Sequence, residues 1–355
     1  MQNILIVDGH NFANIHVHAG MVAQRMEPEH LRWKMLDHLH DLCLELNIHR
    51  VIFALDSGDS AYRLALHPGY KGTRKARRAE EDEKNPEKAQ EKRNLMTIFY
   101  NCLAREMPRL GISQIQFEGI EADDIIAFFA NYIDLTRYRL AILSNDTDLF
   151  QLVRPGVMQK KPRGVMKLPG TNTVVPADAW LSHDLFCRAY GLLPPQWADV
   201  KALQGDISDN VPGIKGIGPK GAIRLVKHFE SVDALLDALE DPDALEEQSE
   251  ALRKSKRSGG PGLTPKVLDA LLEGRDTLRM AMQLVNLNYT SEVVNSIFSE
   301  DQQERLLHLL TTLDNMPDID PDFGRTFCAE FGRSSPDEWL AVFSGVRQQS
   351  VEAVH

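Results

Sequence analysis

Hydrophobic positions in the first half of the chain follow two alternating rhythms. "NILIVD" (3–8), "VIFALD" (51–56) and "RLAILSND" (139–146) are short apolar runs that end on an acid, and "ISQIQFE" (112–118) alternates apolar and polar positions. Each predicts a strand. Between them, "EHLRWKMLDHLHDLCLELN" carries Leu31, Met35, Leu39, Leu42 and Leu46 at helical spacing, and "DDIIAFFANYI" predicts a further helix. Strands alternating with helices predict an α/β fold, a mostly parallel sheet flanked by helices on both faces. The stretch "YKGTRKARRAEEDEKNPEKAQEKRN" (70–94) is too polar to be core, and "KKPRGVMKLPGTNTVV" (160–175) reads as a hairpin or loop.

Past about residue 200 the pattern changes to short helices joined by Gly-rich turns, then an acidic stretch and the Ser/Gly-rich linker "RKSKRSGGPGL" (253–263). The tail beyond Tyr289 holds helical stretches such as "DQQERLLHLLTTL" and says little about function. No internal repeat is present. Three regions follow: 1–200, 201–290 and a helical extension over 291–355.

Composition fits this picture. The 355 residues, 43% hydrophobic and 26% charged, are enough for one large or two ordinary globular domains. No window approaches the roughly 20 apolar residues that span a bilayer. "MQNILIVDGH" has no basic segment before its apolar run, so no secretion signal is expected. Cys43, Cys102, Cys187 and Cys328 are scattered without a CxxC pair, which predicts buried thiols in a reducing cytoplasm and disfavours zinc.

The formal net charge of −11 argues against a nucleic-acid partner until its distribution is considered. Ser60 to Ala79 holds six bases (Arg63, Lys71, Arg74, Lys75, Arg77, Arg78) and no acid. Arg154 to Lys167 holds five, and Asn210 to His228 holds Lys215, Lys220, Arg224 and Lys227, again without an acid. Phe229 to Leu252 then carries nine acids and no base. Such segregation predicts a polarised molecule with a basic working face.

The positions of the acids carry the chemistry. Asp8 closes the first strand, Asp56 the second, Glu121, Asp123 and Asp124 follow the third, and Asp146 with Asp148 follow the fourth. Groups just beyond the carboxyl ends of parallel strands converge on one crevice, so seven carboxylates are expected together. Asp206 and Asp209, in "LQGDISDNVPG", occupy the next loop region. A helix cap explains any one of these acids but not the set. So many carboxylates stay ionised only if cations neutralise them, and hard oxygen ligands suit Mg²⁺ or Mn²⁺. Two such ions ~3.5–4 Å apart are a device for phosphodiester hydrolysis. His16 and His18 in "HNFANIHVHAG" could reach the metals only from an extended segment, and a loop or DNA-facing role is preferred for them.

"VPGIKGIGPKGAIRLVKHF" fits helix–hairpin–helix chemistry. Gly216 and Gly218 permit a tight turn with bare backbone, and Pro219 suits the first turn of a helix. Ala222, Leu225 and Val226 offer a packing face while Lys220, Arg224 and Lys227 stay available. Exposed N–H groups at such a helix start bind a DNA phosphate without reading bases.

Together, "IVDGHN", "ALDSG", "YKGTR", "GIEADDIIA", "SNDTDLFQLV" and "GDISDNVPGIKGIGPKGA" resemble the structure-specific 5′-nuclease family, the flap endonuclease superfamily, over residues 3 to 290. Its most similar branches are the bacteriophage 5′–3′ exonucleases and the 5′-nuclease domain of bacterial DNA polymerase I. The resemblance implies a PIN-like catalytic domain (1–200) with a helical arch (about 71–95). A helix–three-turn–helix DNA-binding region (201–290) would follow. It implies a first metal site drawing on Asp8, Asp56, Glu121, Asp123, Asp124 and Asp146, and a second served by Asp148, Asp206 and Asp209. Lys71 and Arg74 match the basic pair at the base of the arch that stabilises charge on the scissile phosphate. Lys75, Arg77 and Arg78 lie on the arch, through or under which a single-stranded 5′ end passes. The hairpin, with Lys215, Gly216, Gly218, Lys220 and Arg224, resembles the K⁺-assisted contact with downstream duplex.

The expected protein is a monomeric, free-standing nuclease of the bacterial or phage-infected cytoplasm, acting without membrane on branched or nicked DNA bearing a 5′ flap or 5′ end. Two rivals remain: a catalytically inert DNA-junction binding protein of the same fold, and a Toprim-type domain suggested by "NDTD". The latter wants a Glu at the first strand end, where this chain has Asp8, and leaves the Gly-rich hairpin unexplained.

Overall fold

The protein was analysed as a computed structural model that describes residues 1–22, 28–240, 264–315 and 319–343. The Ser/Gly-rich segment 253–263 lies outside the described residues. In chain order the elements are β1 (Gln2–Asp8), α1 (Gly9–Val22), α2 (Pro28–Leu46), β2 (Ile48–Leu55), α3 (Ala61–Leu66), α4 (Gly72–Lys84) and α5 (Pro86–Arg105). There follow β3 (Ser113–Gln116), α6 (Ala122–Tyr132), β4 (Tyr138–Leu143), β5 (Val157–Lys160), β6 (Met166–Lys167), β7 (Val174–Val175), α7 (His183–Tyr190) and α8 (Trp197–Gln204). The remainder is helical: α9 (Pro219–Phe229), α10 (Val232–Glu240), α11 (Pro265–Glu273), α12 (Arg275–Val285), α13 (Ser291–Ile297), α14 (Glu300–Thr311), α15 (Pro321–Glu330) and α16 (Pro336–Phe343). No helix among the described residues is long and apolar enough to cross a membrane.

Two compact units are each assembled from separated segments. The first comprises Met1–Gly58, Asp82–Asn145 and Phe298–His355, the second Asp59–Glu81 and Asp146–Ile297. The division falls inside α4, none of whose residues is buried. A helix that buries nothing contributes no core to either side.

In the first unit four parallel strands run in the order β3–β2–β1–β4. Ile4, Leu5, Ile6 and Val7 are all fully buried, which is why β1 reads as a continuous apolar run: a central parallel strand is covered on both faces. The expected helices form, and Asn85–Pro86 breaks the charged stretch into α4 and α5, with Pro86 at the first helical turn. From Leu95 onward α5 turns apolar and buries Leu95, Phe99, Cys102 and Leu103. The extension also joins this unit. Trp33 of α2 stacks on Phe327, Phe331 and Trp339, and Asp320 is bound by Arg109 at 2.6 Å.

One sequence expectation is corrected here. "HNFANIHVHAG" is not a loop but belongs to α1, which places Phe12, Ala13, His16 and Val17 on its buried side and His18 outside. His16 sits 3.0 Å from His38 of α2 through their ring nitrogens, a polar contact that makes its burial tolerable.

The second unit has one core, in which Phe150, Phe186, Tyr190 and Trp197 pack edge-to-face or tilted. Apolar faces of α9 to α12 close it. Of the hairpin or loop expected over 160–175, a hairpin forms, β6 pairing antiparallel with β7.

Candidate active site

In the first unit, the carboxylates at the strand ends sit at helix N-termini. Asp8 is the last residue of β1, and its Oδ1 accepts the Asn11 N–H at 2.9 Å, capping the start of α1. Its Oδ2 accepts from Ser144 Oγ at 2.8 Å, just beyond β4. Because β2 and β4 flank β1 on opposite sides, these two residues mark the point where strand order reverses, the usual crevice position in such sheets. Asp56 follows β2 and accepts the Ala122 N–H of α6 at 2.8 Å. Asp124, 1% exposed, accepts the Glu121 N–H at 3.3 Å.

Capping therefore accounts for the positions of Asp8, Asp56 and Asp124, since unpaired N–H groups and the positive helix end both favour a carboxylate. Glu121 is buried at the same helix start and Asp123 is half-buried beside it. Tyr100 of α5 shares this neighbourhood. Burial pushes its phenol pKa up, and the charges of Asp56 and Asp8 push the same way. Its hydroxyl lies 3.3 Å from His10 Nδ1.

The second unit holds Asp148 and Asp206 around a cation the sequence reading missed. Lys201 of α8 is buried, with Nζ 2.7 Å from Asp148 Oδ1 and 2.8 Å from Asp206 Oδ2. Burial lowers the lysine pKa, but the two carboxylates outweigh it and hold the ammonium charged. Burial likewise pushes Asp206 up, yet the charge and hydrogen bonds of Lys201 and the Ser208 donors bring it down to about 2. Asp148 is pushed up to about 6, chiefly by burial and against the pull of Lys201, with Asp146 adding like charge. Asp146 is raised too, through burial first, although its Oδ1 accepts the Asp148 N–H at 2.9 Å.

Asp209 faces the base of the charged stretch. Its carboxylate lies 3.8 Å from Lys71 Nζ and 3.5 Å from Arg74, and its carbonyl accepts the Lys71 N–H at 2.8 Å. That bond helps hold Lys71 in the left-handed region at φ 55°, a conformation an L-residue adopts only under constraint. Lys75, Arg77 and Arg78 are exposed on α4, where Lys75 pairs with Asp59 and Arg77 with Glu81.

The Gly-rich hairpin links α8 to α9. Gly216 takes φ 88°, which needs glycine, whereas Gly218 is extended with open space where a side chain would be. Pro219 opens α9 as expected. Ala222, Ile223, Leu225, Val226 and Phe229 are buried, while Lys215, Gly216, Gly218, Lys220 and Arg224 are exposed.

Among the described residues, no group of three or more His, Cys, Asp or Glu side chains is arranged to hold a metal ion. Asp8, Asp56, Asp124, Asp146 and Asp206 accept internal N–H or O–H groups, and Asp148 and Asp206 share Lys201. Of the residues the sequence reading missed, Ser144 gives no signal beyond a small polar residue after a strand. Lys201 could have been suspected as the one charge inside "VKAL".

The first unit carries acids beyond the strand ends of a parallel sheet, and the second holds a Gly-rich hairpin between α8 and α9. Residues 3–175 match the model of the 5′-3′ exonuclease N-terminal resolvase-like domain, and residues 192–305 that of the 5′-3′ exonuclease C-terminal SAM fold. The chain belongs to the 5′-3′ exonuclease family. The thermostable DNA polymerase I of Thermus aquaticus is 30% identical over 88% of this chain and 32% of the relative. The 5′-3′ exonuclease of Bacillus subtilis is 34% identical over 53% of this chain and 55% of its own length. The chain thus spans about a third of the first of these relatives and about half of the second. The bacteriophage T5 flap endonuclease, solved in a pseudo-enzyme–product complex with DNA and metal ions, shares the fold. Its TM-score is 0.67 at 18% identity, covering 88% of this chain and 99% of that one.

Proposed function

We propose that this chain is a divalent-metal-dependent, structure-specific 5′-nuclease that hydrolyses DNA phosphodiesters near free 5′ ends. It would act as 5′–3′ exonuclease and 5′-flap endonuclease in replication or repair. The observation that carries the reading is the placement of Asp8, Asp56 and the Glu121–Asp124 acids at strand ends and helix starts of a 5′-3′ exonuclease-family sheet.

The donor set fits hard cations: every candidate ligand is a carboxylate, and Asp8, Glu121 and Asp124 are buried. Two Mg²⁺ or Mn²⁺ ions are proposed, one on Asp8, Asp56, Glu121, Asp123, Asp124 and Asp146, the other on Asp148, Asp206 and Asp209. When bound, such ions supply an activated water and neutralise charge on the leaving oxygen. Lys71 and Arg74 bind the scissile phosphate. Their long contacts to Asp209, 3.8 and 3.5 Å, are weak enough to be exchanged for a phosphate oxygen. Lys75, Arg77 and Arg78 guide the single-stranded 5′ end. Lys215, Gly216, Gly218, Lys220 and Arg224 hold a phosphate of the duplex, assisted by K⁺, and the protein acts as a monomer.

The test is cleavage of a labelled 5′-flap duplex in Mg²⁺ by the wild type and by Asp146→Asn, with DNA affinity measured in Ca²⁺. The wild type should cleave, and the variant should bind but not cleave. Full activity of the variant would refute the metal assignment. A wild type that binds junctions without cutting them would identify an inert junction-binding protein instead.

A further inference from the structure

Among the described large hydrophobic side chains, Ile207 is the most exposed, at 95%. It lies between Asp206 and Ser208 in "GDISDN", a loop held from several sides. Asp206 and Val211 exchange backbone hydrogen bonds of 2.9 and 2.8 Å. Asp206 Oδ1 accepts from the Ser208 N–H at 2.8 Å, the Ser208 hydroxyl at 2.6 Å and the Asp209 N–H at 3.3 Å. Asn210, left-handed at φ 57°, donates its side-chain amide to the Gly69 carbonyl at 2.8 Å. Gly205 sits so close to Gly213 that an added Cβ would lie 2.4 Å from its nitrogen.

A loop fixed in this way cannot fold Ile207 inward, so its apolar surface stays in water at a thermodynamic cost. Lone exposed hydrophobics are common on protein surfaces. Here the residue is displayed by a constrained loop whose Asp209 carries Lys71 and Arg74, the cations suited to a phosphate. An apolar tip on a loop that pairs, through Asp209, with the phosphate-suited cations Lys71 and Arg74 matches the chemistry of a single nucleotide. Its phosphate takes the charge and its base takes the hydrophobic contact.

We propose that Ile207 is a substrate-contact residue that packs on the base of the nucleotide unpaired at the 5′ junction and keeps it out of the duplex stack. This rests on the 5′-nuclease reading above and adds a specificity element to it. Proteins that unstack DNA use Ile, Leu or Phe as such a wedge, because an aliphatic face substitutes for the lost base neighbour.

The experiment compares wild type, Ile207→Ser and Ile207→Leu in single-turnover cleavage of two 5′-flap duplexes. One has a fully paired junction and the other two mismatches there, and 2-aminopurine at the junction reports unstacking. Ile207→Ser should slow cleavage of the paired junction roughly tenfold, the scale of one lost base contact. It should also lower the 2-aminopurine signal and recover most of its rate on the mismatched junction. Ile207→Leu should behave as wild type, and all three should melt alike, since the side chain is almost wholly exposed. Equal rates for Ile207→Ser and wild type on the paired junction would overturn the proposal. So would a loss that persists undiminished on the mismatched one. A wild type unable to cleave either substrate would instead bring down the nuclease reading, and this proposal with it.

Discussion

Replacing Lys201 by Met isolates one electrostatic contribution to the second unit. Methionine keeps an unbranched side chain of similar length in the same buried slot, so packing changes little. What is lost is the ammonium 2.7 Å from Asp148 and 2.8 Å from Asp206. Removing one partner of a buried ion pair costs about 3–5 kcal/mol, because the remaining charge has no compensation. The two acids keep 22% and 21% of their side-chain surface in water, so solvent screens part of this. We therefore expect a loss of about 2–4 kcal/mol. At about 2–4 °C per kcal/mol for a domain of this size, the transition should fall by roughly 4–16 °C.

The measurement is differential scanning calorimetry at pH 7.5 in EDTA, repeated across a Mg²⁺ titration. A divalent ion on Asp148 and Asp206 replaces the missing positive charge, so Mg²⁺ should raise the variant's transition more than the wild type's. Two results would refute the reasoning. A variant melting within about 2 °C of wild type in EDTA would show that Lys201 does not neutralise these acids. Equal stabilisation of both proteins by Mg²⁺ would show that the ion does not share ligands with the lysine.

Two further predictions concern stability away from the proposed chemistry. Asp199 accepts the Val232 N–H at 2.7 Å, yet burial and the nearby Asp233 push it up to about 6. Its folded pKa exceeds the unfolded value of about 3.9, so the folded state binds the proton more tightly and stability is lost as pH rises through that window. Asp199→Asn keeps the acceptor without the charge and should stabilise the fold at pH 7.5 by up to about 3 kcal/mol, read as a higher melting temperature, with little effect at pH 4; equal effects at both pH values would contradict the shift. Trp339→Ala removes a nearly buried ring from the stack with Trp33, Phe327 and His40, and should cost about 3–5 kcal/mol in chemical denaturation while leaving the proposed nuclease activity of the folded fraction unchanged. A change under about 1 kcal/mol would mean that the extension only rests on α2.

Much of the fold was legible because burial and periodicity agree. β1 shows itself as four apolar residues followed by Asp8, since a central parallel strand is covered on both faces until it ends. α9 is legible from Pro219 and its packing face. α1 was not. Its Gly, His and Asn content scores poorly for helix, and His16 occupies a core position made tolerable by His38, a partner twenty-two positions away that local pattern cannot see. Lys201 was hidden for a related reason. Its partner Asp206 is five residues on, past the turn at Gly205, so neither helix spacing nor strand alternation puts them together.

The partners that hide the acids also explain how the fold tolerates them. Asp8, Asp56 and Asp124 each take an N–H at a helix start, and Asp148 and Asp206 take Lys201, so the carboxylates have internal donors without any ion. On the proposed function, an arriving cation must draw oxygens away from these donors. Its net affinity is then its attraction for the carboxylates less the cost of leaving N–H, Ser144 and Lys201 groups unpaired. Such competition predicts metal binding that is only moderately tight, as befits an ion that must also admit a phosphate oxygen into its coordination shell. It locates the control of that affinity in the donors, Ser144 and Lys201, as much as in the acids themselves.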